Sequence, residues 1–135
     1  MIQCVGKLVY NPPRGKMKVN PWWLVLDIEP ELTRYYRWWV ERQYGIVLCK
    51  PAWDAHVTVV RGQEPEHKEL WGKHADKEIV FSLQPGVRQS GDTTGWDRPD
   101  SYWFVDIFSS ELSDIMVELG FPEKEKYHLT VGRTY

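Results

Sequence analysis

This chain has little cysteine, no long apolar run and no excess of positive charge. Its two cysteines, Cys4 and Cys49, are too few and too far apart to read as a disulfide framework. No stretch approaches the roughly 20 apolar residues that span a bilayer, and no secretory pattern opens the sequence. The expectation is therefore a protein of the cytoplasm with reduced thiols and no membrane contact. Seventeen basic residues stand against nineteen acidic ones, a net charge of −2. Affinity for long nucleic acids comes largely from neutralising phosphates, so this balance argues against an extended nucleic-acid partner. A small ligand with a few phosphates needs only local positive charge, and the segment from Lys7 through Arg14, Lys16 and Lys18 could supply some.

What the chain does have is apolar and aromatic material. At 135 residues and 42% hydrophobic content it fits one domain, 1–135, able to bury a real core. Eight tryptophans and seven tyrosines serve mostly that core, although a few aromatics in a cleft are what stacking on a nucleobase requires.

"VGKLVY" reads as a strand closed by the turn-forming "NPPRG", and "WWLVLDI" as a second strand buried on both faces. "EPELTRYYRWWVERQYG" reads as a helix with Pro30 in its first turn and Gly45 at its end. Leu32, Tyr35, Tyr36, Trp39 and Val40 form its apolar face. "DAHVTVVRG" is a strand, "PEHKELWGKHAD" a short helix and "KEIVFSL" another strand. A loop rich in Gly, Pro, Asp and Thr runs from Gln84 to Asp100, a length more often functional than idle. "SYWFVDI" is a strand, and "SSELSDIMVELG" a helix that Ser109 or Ser110 could cap and Gly120 ends. "YHLTVG" is the closing strand.

Two parts of this order repeat. "WWLVLDIEPEL" leads through a helix to "HVTVV", and "SYWFVDIFSSEL" leads through a helix to "HLTVG". Each unit runs strand, helix, strand, with Asp-Ile near the end of its first strand. The expected architecture is α+β and two-lobed, with a pseudo-two-fold axis relating the lobes and antiparallel sheets lining a central cleft.

The repeat carries chemistry. Four histidines and six threonines placed at random predict about 0.2 His-x-Thr triplets in a chain of this length; two occur, His56–Thr58 and His128–Thr130. Side chains at i and i+2 of a strand share a face, about 6.5–7 Å apart. His56 and Thr58 therefore point one way while Val57 and Val59 enter the core; His128 and Thr130 do the same, backed by Leu129 and Val131. Brought side by side, two imidazoles and two hydroxyls surround a volume suited to a phosphate. One histidine can take a proton from an attacking hydroxyl while the other gives one to the leaving oxygen. The threonines can donate to the non-bridging oxygens. No metal or other cofactor is needed for this chemistry. His67 and His74 read as surface histidines without metal-ligand spacing. Strict alternation puts Arg61 and Arg133 on the face opposite the histidines unless a bulge intervenes at Gly132. Asp27 and Asp106 read as caps of the helices that follow them.

"HVTV" and "HLTV" resemble the paired motifs of the 2H phosphoesterase superfamily, whose members include ligase-type RNA phosphodiesterases and cyclic phosphodiesterases. "YYRWWVERQYGIVLCKPAWDAHVTVVRG" is most similar to the small phage phosphodiesterases that cleave cyclic oligonucleotide alarm signals and disarm the bacterial CBASS defence. The resemblance implies the duplicated fold across most of the chain, His56 and His128 as the acid–base pair, and Thr58 and Thr130 as phosphate holders. It also implies aromatics that grip the bases, with Tyr10 and Trp96 as candidates, and action in the cytoplasm of an infected bacterial host. The implied substrate is a small cyclic oligonucleotide. Two alternatives stay open: an enzyme acting on RNA ends or 2′,3′-cyclic phosphates, and a non-catalytic protein that sequesters a cyclic nucleotide.

Overall fold

The computed structural model describes residues 2–12, 22–49, 55–84, 86–89 and 101–134. Among these residues seven strands and two α-helices make an α+β fold: β1 (Ile2–Tyr10), β2 (Trp23–Asp27), α1 (Pro30–Tyr44), β3 (His56–Arg61), β4 (Glu78–Leu83), β5 (Arg88–Gln89), β6 (Ser101–Phe108), α2 (Ser110–Glu118) and β7 (Lys126–Thr134). The strands form one sheet in which every ladder is antiparallel, ordered β3-β2-β1-β4-β6, with β5 and β7 both paired to β6. The expectation was antiparallel sheets lining a central cleft. Instead β4 pairs with both β1 and β6, which joins the two halves into a single surface.

Residues opposite one another in an antiparallel ladder share a face, so the register assigns each side chain to a side. One side carries Leu8, Leu24, Leu26, Val57, Ile79, Phe81, Leu83, Val105, Ile107, Tyr127 and Leu129, all at most 1% exposed. Val40 of α1 and Leu112, Ile115 and Met116 of α2 join the same cluster, so both helices cover this side. Burying such side chains contributes about 1.5–3 kcal/mol each before entropy is charged against it. The other side is mixed, with Val5, Val25 and Val80 beside Lys7, Asp27 and Glu78.

The helices follow local rules with one exception. Ser109 caps α2, its hydroxyl accepting from the Leu112 N–H at 3.2 Å. Gly45 ends α1 in the left-handed conformation, φ 64°, its N–H bonded to the Glu41 carbonyl. Glu29 begins α1 without a side-chain cap. Tyr35, expected on the apolar face, is exposed, while Thr33 is buried with its hydroxyl donating to the Pro30 carbonyl at 2.9 Å.

Two segments differ from the sequence reading. "PEHKELWGKHAD" makes only one 3-10 turn, Lys68–Leu70, followed by further three-residue turns. Gly72 at φ 89° and Asp76 at φ 64° break any longer helix. Within the expected loop of Gln84 to Asp100, Arg88 and Gln89 form β5 against Phe104 and Trp103. The closing strand is no loose end. β7 pairs with β6 from Lys126 to Thr134 and packs against β3. On its other edge Arg133 and Cys49 exchange backbone hydrogen bonds at 2.8 and 3.1 Å.

Candidate functional site

The two strand pairs β2–β3 and β6–β7 repeat one another position by position. Asp27 stands opposite His56 and Asp106 opposite His128; Val25 stands opposite Thr58 and Phe104 opposite Thr130. The register then slips in both pairs at the same step. Leu24 meets Val60 and Trp103 meets Gly132, which leaves Val59 and Val131 as single extra residues. These are β-bulges at equivalent places.

Faces follow from this register. His56, Thr58, His128 and Thr130 all lie on the side away from the helices, and Val57, Val59, Leu129 and Val131 are buried. The two strands that carry the motifs, β3 and β7, pack against each other although they belong to opposite halves of the strand order. The bulges also correct the placement of the arginines. Arg61 pairs with Trp23 and Arg133 with Tyr102, so one extra residue per strand returns both arginines to the histidine side. Both guanidinium-bearing residues therefore share a side with the histidines.

The His128 half is the better defined electrostatically. His128 Nδ1 lies 3.0 Å from Asp106 Oδ1, and Asp106 Oδ2 accepts from Arg88 at 2.9 Å with Lys126 Nζ 3.5 Å away. The Asp106 side chain is only 4% exposed, whereas that of His128 is 55% exposed. Burial pushes the Asp106 carboxyl upward, but the Arg88 hydrogen bond, the charges of Lys126 and Arg88, and the His128 hydrogen bond outweigh it and hold the group below the ordinary range. Asp106 is thus an ionised buried carboxylate. Phe104 packs its ring against His128 at 4.6 Å between centroids, and Arg88 lies 5.4 Å from the Phe104 ring centroid.

Around His56 the surroundings differ. Trp23 meets the imidazole edge-on with centroids 6.4 Å apart. Asp27, Glu29, Asp76 and Glu78 line a shallow depression with Lys7, and Lys7 pairs with Asp76 at 3.6 Å. The half of the face near β6 and β7 is therefore the cationic one.

Of the remaining sequence candidates, Tyr10 is carried elsewhere. It pairs with Leu24, whose side chain belongs to the core side, and its ring packs edge-on against Trp71 at 5.0 Å. Tyr10 therefore sits across the sheet from His56 and Thr58. Trp96, Arg14, Lys16 and Lys18 lie outside the described residues. His74 bonds to Glu118 at 3.1 Å and His67 lies 3.7 Å from Glu69, so the two histidines have separate partners. Among the described residues no cluster of three His, Cys, Asp or Glu side chains is placed to hold a metal ion.

Sequence reasoning missed Asp106 and Arg88. Asp106 does not cap α2, since Ser109 does; it binds His128 instead. The signal was present in the repeat, where an aspartate precedes each His-x-Thr strand at a matched place. Among the described residues no helix is long and apolar enough to cross a membrane. Comparison with known proteins finds no match: no family model, no curated protein and no solved structure is similar to this chain.

Proposed function

We propose that this chain is a phosphodiesterase of the 2H type that opens small cyclic oligonucleotides at 3′–5′ linkages, working by two histidines without a metal. The observation that carries the reading is the repeated ladder: two His-x-Thr strands in one register, each with an aspartate opposite the histidine and a bulge after the threonine, on one face. A merely decorative polar face would not need the same pairing twice.

In the proposed reaction the ribose 2′-OH beside the scissile linkage is the nucleophile. One imidazole takes its proton as the oxygen bonds to phosphorus; the P–O5′ bond breaks, and the other imidazole, protonated, gives its proton to the departing oxygen. The products are a 5′-hydroxyl and a 2′,3′-cyclic phosphate on an opened chain. Thr58 and Thr130 donate to the non-bridging oxygens, where charge accumulates. Intramolecular delivery of the 2′-OH supplies proximity without a second bound reactant. The resemblance to phage enzymes that disarm CBASS makes counter-defence in a bacterial cell the proposed setting.

Mass spectrometry of products from a panel of cyclic dinucleotides and trinucleotides tests the reading. Ring-opened products bearing a 5′-hydroxyl support it. Tight binding with every ring left intact would assign a sequestering role instead, and turnover confined to RNA ends would assign repair chemistry.

A further inference from the structure

The reaction needs each histidine to present one chosen nitrogen to the phosphate, yet a neutral imidazole can carry its proton on either. For His128 the structure contains a group that makes the choice. Asp106 is ionised, and an ionised carboxylate only accepts hydrogen bonds. Its Oδ1 lies 3.0 Å from His128 Nδ1, so Nδ1 must be the donor and Nε2 is left to exchange the proton. Oδ2 is already committed to Arg88 at 2.9 Å, with Lys126 3.5 Å away. The carboxylate is therefore held from both sides and cannot swing to offer a different geometry. Phe104, against the ring at 4.6 Å, limits rotation further.

We propose that Asp106, fixed by Arg88, is a positioning residue that locks His128 in the Nδ1–H tautomer and aims Nε2 at the scissile phosphate. The proposal rests on the acid–base role given to His128 above. It adds a residue outside both His-x-Thr motifs, and it ties β5, through Arg88, to the catalytic strand. Among the described residues the charged groups in contact with this carboxylate and imidazole are Arg88 from β5 and Lys126 and His128 from β7. Asp106 does not touch the substrate in this account; its effect passes through the imidazole.

Nitrogen-15 NMR of histidine-labelled protein reads the tautomer directly, with His128→Gln identifying the signal. Wild-type His128 in its neutral form should show a protonated Nδ1 and a bare Nε2. Asp106→Asn, whose amide can donate as well as accept, should lose that preference and lower kcat by about 10²–10⁴-fold, the usual contribution of a proton-transferring group, while KM changes less than about threefold. Asp106→Glu, which still accepts, should keep the Nδ1–H form. A wild-type spectrum dominated by the Nε2–H form overturns the proposal, and that spectrum needs no variant to fold. Since the tautomer is read without turnover, an Nδ1–H result in a protein that opens no ring would uphold the positioning and reject the phosphodiesterase instead.

Discussion

Arg133 shares a side of the sheet with His128 although five positions separate them along one strand. Strict alternation forbids this, and the single extra residue at Val131 permits it, since Thr130 faces Phe104 while Gly132 faces Trp103. The same device at Val59 brings Arg61 to the side of His56. Each of the two strands thus carries histidine, threonine and arginine on one face, which is the set the proposed reaction uses.

The arginines should therefore matter for binding. Arg61→Gln and Arg133→Gln are each expected to raise the KM for a cyclic oligonucleotide about tenfold, as loss of one charge-assisted hydrogen bond implies. Circular dichroism should show both variants folded. Unchanged kinetics in both would show that neither guanidinium meets the substrate.

Alternation in β7 separates stability from activity. Leu129 is fully buried, so Leu129→Ala should cost about 2–5 kcal/mol in denaturant unfolding. Thr130 points to the open side, and Thr130→Ala should leave stability within about 1 kcal/mol while slowing ring opening by one to two orders of magnitude. A threonine variant as unstable as the leucine variant would contradict the assignment of faces.

Gly132 sits where β7 passes the segment after α1. A Cβ there would lie 2.9 Å from Leu48 Cδ1 and 3.0 Å from Leu48 Cβ. Gly132→Ala should destabilise by about 1–3 kcal/mol, the usual cost of overpacking. Thermal unfolding measures it. A neutral or stabilising result would show that the two segments do not meet as closely as described.

Asp106 makes a prediction about acid. Its folded-state pKa lies below the usual carboxylate value, so it contributes stability that is present above about pH 4 and lost as the pH falls through the folded value. Between pH 5 and pH 3 the unfolding midpoint in urea should fall more steeply in wild type than in Asp106→Asn. Equal slopes would mean that the carboxylate is not held by Arg88, Lys126 and His128.

Much of this site was legible in the sequence because a strand's period of two is a local property. His56, Thr58, His128 and Thr130 could be placed on one side from their own neighbours, and burial of Val57 and Leu129 agrees. What failed depended on the partner strand. The side on which Tyr10 falls is fixed by its pairing with Leu24, and the return of Arg61 and Arg133 is fixed by bulges that exist only relative to β2 and β6. Asp106 was hidden for a different reason. An aspartate before a helix has a sufficient local explanation in capping, and the structure gives that task to Ser109, one of the two serines the sequence also offered for it. Arg88 lay in a stretch whose glycine and proline argued for a loop, and two residues of pairing with β6 were enough to make it a strand. The helix expected after Pro65 gave way to turns because Gly72 and Asp76 adopt positive φ.

The most direct test of the central claim is ring opening of cyclic oligonucleotides by purified protein in excess EDTA, with His56→Ala and His128→Ala alongside. Two-histidine chemistry predicts turnover that survives chelation and falls by at least about 10²-fold in each variant. Activity that vanishes with EDTA and returns with a divalent metal, or that persists when both histidines are replaced, would contradict it.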